Sequence, residues 1–208
     1  MIKVGLTGGL ASGKSFIGAE LERLGAQVLE ADKLGHAILM PDGEAYADVV
    51  ELFGNEILSA DNTIDRKKLG TIVFTDPEKL KQLNALVHPH VFNRQKQFFA
   101  EIEARDPDAV AVVEAAIMVE SGSYKNYDRL ILAACPSDVQ IARFVEREKS
   151  TVEEAESRLD RQMPLEEKRK YADFVIDTAG SKSQTLAQVE DVYRKLRSEA
   201  QRVQTEVC

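Results

Sequence analysis

Eight consecutive residues near the amino terminus match the phosphate-binding pattern G-x-x-x-x-G-K-[ST] at every specified position. They are Gly8, Gly9, Leu10, Ala11, Ser12, Gly13, Lys14 and Ser15. A β-prone run precedes the pattern and helical spacing follows it, which is the context that such a loop requires. Backbone N–H groups in a glycine-rich turn and the start of a helix attract phosphate oxygens. We therefore expect this loop, together with the N–H of Phe16, to bind a nucleotide.

Two side chains of the pattern suggest chemistry as well as binding. The ammonium group of Lys14 would lie on the β- and γ-phosphates of the nucleotide. The hydroxyl of Ser15 would be a ligand of Mg²⁺, which keeps waters and phosphate oxygens as its other ligands. The sequence thus predicts a magnesium–nucleotide site.

Asp32 closely follows the second β-prone run, which ends at Glu30. Ligands of an open α/β sheet bind at the carboxyl ends of its strands, so Asp32 could orient a substrate hydroxyl and accept its proton. Asp32 could equally cap a helix that starts at Lys33. Both roles are compatible, and Glu30 is a competing acid because it lies two residues earlier on the same face of an extended run.

Three other patterns favour structural roles. The D-x-x-G at residues 177–180 resembles a GTPase motif, but it lies far from the loop and no N-K-x-D occurs, so we predict a strand-to-helix turn. His88-Pro89-His90 lacks a third ligand at zinc spacing, so we predict a helix that starts at the proline. Cys135 is expected to be a buried, reduced thiol, and Cys208 to fray at the chain end.

The charged segment from Thr151 to Ala172 contains Arg158, Arg161 and Gln162. Most such segments are solvated amphipathic helices with charge pairs four residues apart. A mobile lid whose arginines reach a transferring phosphoryl group is the alternative. The residues alone favour the solvated helix.

Strand-like and helix-like runs alternate along the chain, which predicts an α/β fold with a parallel sheet. The candidate strands are residues 2–7, 27–30, 109–118, 129–135 and 173–177, and helical spacing covers residues 16–24, 137–148 and 182–203. Residues 34–105 are predicted to form a helical insertion between the second and third strands. All 208 residues would then form a single domain with this insertion.

Composition excludes several classes of protein. The chain has 30% charged and 44% hydrophobic residues, which is typical of a folded globular protein. Its net charge of −8 argues against non-specific nucleic-acid binding, although a local positive pocket could hold a phosphorylated ligand. It has neither a signal-peptide pattern nor an apolar run long enough to cross a membrane, so we expect a cytoplasmic location and no membrane partner.

With these features together, the chain resembles the dephospho-CoA kinases over nearly its whole length. The resemblance covers the loop LTGGLASGKS, the acidic EADK, and the insertion segments FGNEIL, IDRKKLGTIVF and LNALVHPHV. It continues through AAIMVESGSY, YDRLILAACPSDVQIARFVERE and RLDRQMPLEEKRKYADFVIDTAG. A phosphate-binding loop alone marks many activities, whereas its combination with LVHPHV and RLDRQMPLEEK is far more specific.

The resemblance implies a P-loop kinase fold, in which a five-stranded parallel sheet is flanked by helices. It implies ATP and Mg²⁺ as cofactors, and phosphorylation of the ribose 3′-hydroxyl of dephospho-CoA as the reaction. Asp32 matches the catalytic acid of the family, and Arg66 and His88 match substrate positions in the insertion. Residues 151–172 match the lid, where Arg158 or Arg161 would stabilise the moving phosphoryl group, and we expect a monomer.

Four residues depart from the family pattern without removing a phosphate-binding or proton-accepting group. They are Glu30 for Asp, Phe16 for Thr, Ala116 for Pro and Thr178 for Asn. Two other functions are considered: a P-loop kinase for another small molecule such as a nucleoside monophosphate, and a GTP-dependent switch. The chain lacks a D-G-F-P-R-like segment of the first and the N-K-x-D of the second.

Overall fold

The computed structural model describes residues 1–205, and the side chains of residues 1–202. The chain divides into two units. The first contains residues 1–30 and the chain from residue 99 onward, and the second contains residues 31–98. Cys208, expected to fray, lies outside the described residues.

Five parallel strands form one sheet in the order β2-β3-β1-β4-β5. Their bounds are β1 Ile2–Gly8, β2 Gln27–Glu30, β3 Val110–Glu114, β4 Arg129–Ala134 and β5 Phe174–Asp177. The predicted five-stranded parallel sheet is confirmed. Because all strands are parallel, their carboxyl ends share one edge, and β3 separates β1 from β2 there.

The α-helices within residues 1–205 follow the predicted alternation. They are α1 Lys14–Arg23, α2 Ala31–Ile38, α3 Tyr46–Phe53, α4 Arg66–Thr75, α5 Pro77–Arg105, α6 Ser137–Glu148, α7 Val152–Leu159, α8 Leu165–Arg169 and α9 Lys182–Thr205. The predicted lid segment contains α7 and α8, which residues 160–164 separate. None of these helices is long and apolar enough to cross a membrane.

The core of the first unit lies against the central strands. Alternate residues of β1, including Val4 and Leu6, are fully buried and pack with Ile17 and Leu21 of α1 and with residues of α9. All five residues of β3 are buried, as expected for a strand covered on both faces. This packing fixes the carboxyl end of β1, from which the phosphate-binding loop emerges.

The third strand was predicted to continue to Met118, and this extension is wrong. The strand ends at Glu114, and the apolar residues beyond it form turns in which Met118 and Val119 are buried. An apolar run can be buried in a turn as well as in a strand, and its periodicity does not distinguish the two.

The second unit is helical and has its own apolar core, which includes Val49, Phe53, Ile57 and Leu69. It begins at residue 31 and ends at 98, close to the predicted insertion of 34–105. The helix expected to start at Pro89 in fact starts at Pro77, so that prediction is wrong. Asp76 accepts hydrogen bonds from the N–H groups of Glu78 and Lys79, which provides the missing start signal.

The predicted cap by Asp32 is also wrong. Helix α2 begins at Ala31, so Asp32 lies inside its first turn rather than before it. An acidic residue in the first turn is still favoured by the helix dipole. The extended-chain argument that placed Glu30 and Asp32 on the same face fails as well, because the strand ends at Glu30.

Candidate active site

The phosphate-binding loop joins β1 directly to α1. Gly13 occupies the N-cap position of α1 with φ 87°, a left-handed conformation that favours glycine. The N–H groups of Phe16 and Ile17 both point to the Gly13 carbonyl, which closes the first turn of the helix. Gly13 has no side chain that could cap the helix, so the positive end of α1 faces the loop, as an anion site requires.

Lys14 lies with its ammonium group against the loop itself. Its Nζ donates to the carbonyl oxygens of Gly8 at 3.1 Å and Gly9 at 3.0 Å. A positive charge held at this point is of the kind that can stabilise anionic phosphate oxygens.

The Ser15 hydroxyl donates a hydrogen bond to Glu114 Oε1 at 2.9 Å. Glu114 ends β3, is 6% exposed, and lies in register with Leu6 of β1 and Glu30 of β2. Sequence analysis did not assign Glu114 a role in the site, because only the strand register brings it to α1. Gly18 allows its close approach, since a Cβ at that position would lie 3.0 Å from Glu114 Oε2.

Hydroxyl and carboxylate oxygens are hard ligands of the kind that Mg²⁺ prefers. Ser15 and Glu114 supply such oxygens at the start of α1, so the residues present fit a magnesium ion. Within the described residues, no group of three or more His, Cys, Asp or Glu side chains is arranged to hold a metal. Phosphate oxygens and waters would therefore complete the coordination.

The turn after β5 supports the loop from beneath. Thr178 is buried, and its Oγ1 lies 2.7 Å from the Ser12 carbonyl oxygen and 3.2 Å from that of Ala134. Arg143 donates from Nη2 to the Thr178 carbonyl oxygen at 2.6 Å. The D-x-x-G sequence is therefore a structural turn, as predicted, but one that braces the phosphate-binding loop.

Gln140 and Cys135 also lie beside the loop. Gln140 is buried, and its Nε2 donates to the Cys135 carbonyl oxygen at 2.6 Å. Its Oε1 would be 2.3 Å from a Cβ at Gly9, so any other residue there would displace the Gln140 amide. Cys135 is buried as predicted, and burial raises the pKa of its thiol above the ordinary value.

The segment predicted as a lid contacts the loop through Gln162, one of the residues singled out in its sequence. Gln162 lies between α7 and α8, and its Oε1 accepts a hydrogen bond from the Leu10 N–H at 2.9 Å. Arg158 instead pairs with Glu154 at 2.8 Å and lies 5.0 Å from the ring centroid of Phe144. The Arg158–Glu154 pair is of the kind expected for a solvated helix. Arg161 is exposed and directly precedes Gln162, the residue that contacts the loop.

The predicted substrate residues lie in the helical unit. Asp32 is exposed in the first turn of α2, two residues after the end of β2. Arg66 is the exposed first residue of α4, and Asp65 caps that helix by accepting from the N–H groups of Lys67 and Lys68. His88 is exposed on α5, with its ring 6.1 Å from that of Phe92.

A surface depression of about 510 Å³ follows one side of α5. Its lining residues include apolar, cationic and amide side chains: Lys81, Asn84, Ala85, His88, Pro89, Phe92, Asn93 and Lys96. A surface of this composition suits an anionic ligand that also has an apolar portion. His88 is the residue of this depression that sequence analysis identified.

Comparisons with known proteins agree with this arrangement. The dephospho-CoA kinase family model matches residues 2–184. A dephospho-CoA kinase of Aquifex aeolicus is 42% identical over 196 residues, which cover 94% of this chain and 98% of that protein.

Solved structures are also similar over most of their length. A crystal structure from Thermus thermophilus has a TM-score of 0.81 at 31% identity, covering 92% of this chain and 95% of that one. A dephospho-CoA kinase from Campylobacter jejuni has a TM-score of 0.70 at 29% identity, covering 95% and 98% respectively. The chain belongs to the dephospho-CoA kinase family.

Proposed function

We propose that this chain transfers the γ-phosphoryl group of ATP to the ribose 3′-hydroxyl of dephospho-CoA, forming coenzyme A and ADP. The observation that carries this proposal is the complete phosphate-binding loop at the end of β1, in a chain similar over 94% of its length to dephospho-CoA kinases. The oxygen of the hydroxyl forms a bond to the γ-phosphorus, the bond to the ADP oxygen breaks, and the hydroxyl proton leaves.

The loop residues perform the nucleotide-binding part of the reaction. Backbone N–H groups within residues 8–16 bind the phosphates, while the Leu10 N–H keeps its hydrogen bond to Gln162. Lys14 moves from the Gly8 and Gly9 carbonyls onto the β- and γ-phosphates. Ser15 and Glu114 would hold the magnesium ion. When bound, Mg²⁺ supplies charge neutralisation on the phosphate oxygens.

Asp32 receives the proton of the attacking hydroxyl in this proposal. A carboxylate at the start of α2 can orient the hydroxyl by accepting its hydrogen bond, and then act as general base. Most of the rate acceleration comes from positioning and electrostatics, because phosphoryl transfer needs little covalent help from the protein. The carboxylate therefore acts chiefly by fixing the line of attack.

The segment from residue 151 to 172 acts as a lid in this proposal. Either Arg158 or Arg161 stabilises the charge on the moving phosphoryl group. The hydrogen bond from Leu10 to Gln162 supports this role, because it brings the segment to the loop. Closure excludes water, which limits wasteful ATP hydrolysis.

The helical unit binds the acceptor in this proposal. Arg66 and the two lysines of the α5 depression, Lys81 and Lys96, complement the negative charge of dephospho-CoA, and His88 lines the same depression. Local positive charge is important because the chain as a whole carries −8 and both substrates are anionic.

We also propose that the enzyme is a cytoplasmic monomer. Its two cysteines show no pairing pattern, which is typical of a reducing compartment. Light scattering at the protein concentration of the assay should give the mass of one chain. A stable dimer would contradict this.

An acceptor panel tests the proposed function. Purified protein with MgATP should convert dephospho-CoA to a product phosphorylated at the 3′ position, with one ADP per product. Nucleoside monophosphates and small sugars serve as the other acceptors, and GTP as an alternative donor. Preferential phosphorylation of a monophosphate would contradict the proposal, as would GTP binding in preference to ATP.

A further inference from the structure

An ion pair buried beneath the lid segment is not explained by the chemistry assigned so far. Lys168 of α8 is 1% exposed, and its Nζ lies 2.9 Å from Glu120 Oε1. Nζ also donates to the Ala116 carbonyl oxygen at 3.0 Å. The charge at the base of the lid is therefore fixed to the turn that follows β3.

An ion pair in such a position adds little to the stability of a fold, because its desolvation costs free energy. Lys168 is buried and the Glu120 side chain is 21% exposed, so the pair loses much of its hydration, and apolar replacements of similar size are often neutral or stabilising. Glu120 Oε2 is also buried, and the described residues offer it no hydrogen-bond partner. A pair with an unsatisfied oxygen is better explained by what it positions than by the stability it adds.

Two series of hydrogen bonds connect the Lys168–Glu120 pair to the phosphate-binding loop. Glu120 Oε1 also accepts a hydrogen bond from the Met163 N–H at 3.0 Å, and the adjacent Gln162 contacts the Leu10 N–H. On the other side, the Ala116 carbonyl oxygen accepts from Thr7 Oγ1 at 3.2 Å. Thr7 immediately precedes Gly8, so both ends of the pair are connected to the loop.

We propose that Glu120 and Lys168 are positioning residues for phosphoryl transfer. They hold residues 160–164 in one place, so that Gln162 stays on Leu10 and Arg161 stays beside it. They touch neither substrate. This inference rests on the proposed function, because its readout is the rate of phosphoryl transfer.

The test removes both charges together, so that no unpaired charge stays buried. In the double variant Lys168→Met with Glu120→Leu we expect kcat to fall about 100-fold, since misplacement by about 1 Å can cost that much. Thermal stability should change little, and KM for ATP less than kcat. Lys170→Met is the matched control, because Lys170 lies two residues after Lys168 and pairs with Glu167 in an exposed position.

A second measurement separates positioning from general stability. When Gln162 is already replaced by alanine, adding Lys168→Met with Glu120→Leu should lower kcat far less than it does in wild type. The reason is that both changes remove the same series of contacts to the loop. Fully additive losses would overturn the proposal, as would a folded double variant with wild-type kcat. If the wild-type chain made no coenzyme A, the proposed function would fail instead, so the two failures are distinguishable.

If the double variant does not fold, Glu120→Gln provides the test. It keeps an oxygen that can accept from Met163 but removes the carboxylate charge that pairs with Lys168. We expect a smaller loss of kcat, about tenfold, that is again suppressed in the Gln162→Ala background. An unchanged kcat would overturn the proposal.

Discussion

Ser15 Oγ and Glu114 Oε1 lie 2.9 Å apart, although 99 residues separate them in the chain. The parallel register of β3 and β1 brings the carboxylate to the first turn of α1, where Ser15 begins the helix with Lys14. This contact joins a residue of the phosphate-binding motif to an acid outside it.

Glu114→Gln should weaken the response of the enzyme to Mg²⁺. Residues that support a metal ligand typically contribute 10- to 100-fold in metal affinity, so we expect the half-saturating Mg²⁺ concentration to rise by about that factor. Titration of kcat with Mg²⁺ measures it. Glu22→Gln, an exposed change on α1, the helix that contains Ser15, is the control. An unchanged Mg²⁺ titration would exclude Glu114 from the site.

Thr178→Val should weaken both ATP binding and the fold. Valine keeps the shape but cannot donate to the Ser12 carbonyl, and an unsatisfied buried group costs about 1–3 kcal/mol. We expect KM for ATP to rise about tenfold, which corresponds to about 1.4 kcal/mol, and Tm to fall. Thr178→Ser should restore both values. A valine variant with normal KM would show that the loop does not depend on this bond.

The two lid arginines should differ in their effect on kcat. Arg158 pairs with Glu154 and lies over the Phe144 ring, and Arg161 is next to Gln162, which contacts the loop. We therefore expect Arg161→Gln to lose more of kcat than Arg158→Gln, by up to about 10³-fold for an arginine that acts on the transition state. Arg147→Gln on α6 is the control. The opposite order would assign the role to Arg158.

Acid should destabilise the first unit partly through Glu20. The hydrogen bonds from Arg23 lower the pKa of the Glu20 carboxyl below its ordinary value of 4.5. A lowered pKa in the folded state means that the pair stabilises the fold above the unfolded pKa, and that this stabilisation is lost as pH falls through the folded pKa. The Tm difference between wild type and Glu20→Gln should therefore shrink from about pH 6 to about pH 3. A difference independent of pH would show that the pair has no such role.

Local patterns predicted much of the fold. The range of α6 is as predicted, as is that of β2, and a turn-type residue lies shortly before each, Pro136 and Gly25 respectively. The helix start predicted at Pro89 is wrong because a proline that favours a helix start also occurs inside a long helix, here one whose Leu83, Leu86 and Val87 pack against the core of the second unit. Local sequence contains no sign of that packing.

The phosphate-binding loop was also predictable, but its supports were not. Glu114 reaches Ser15 through strand register, and Thr178 reaches Ser12 across 166 residues. The Lys168–Glu120 pair is similar, since a lysine in a charged segment gives no sign of burial. Contacts of this kind depend on tertiary structure, which spacing along the chain does not encode.

In the proposed reaction, Asp32 and the phosphate-binding loop act on the same phosphoryl group. Asp32→Asn keeps the size of the side chain and removes the base, and the most direct measurement is kcat for coenzyme A formation alongside the Kd for ATP. The account predicts an ATP affinity close to wild type and a kcat lower by about 100-fold or more. A kcat near the wild-type value would contradict it.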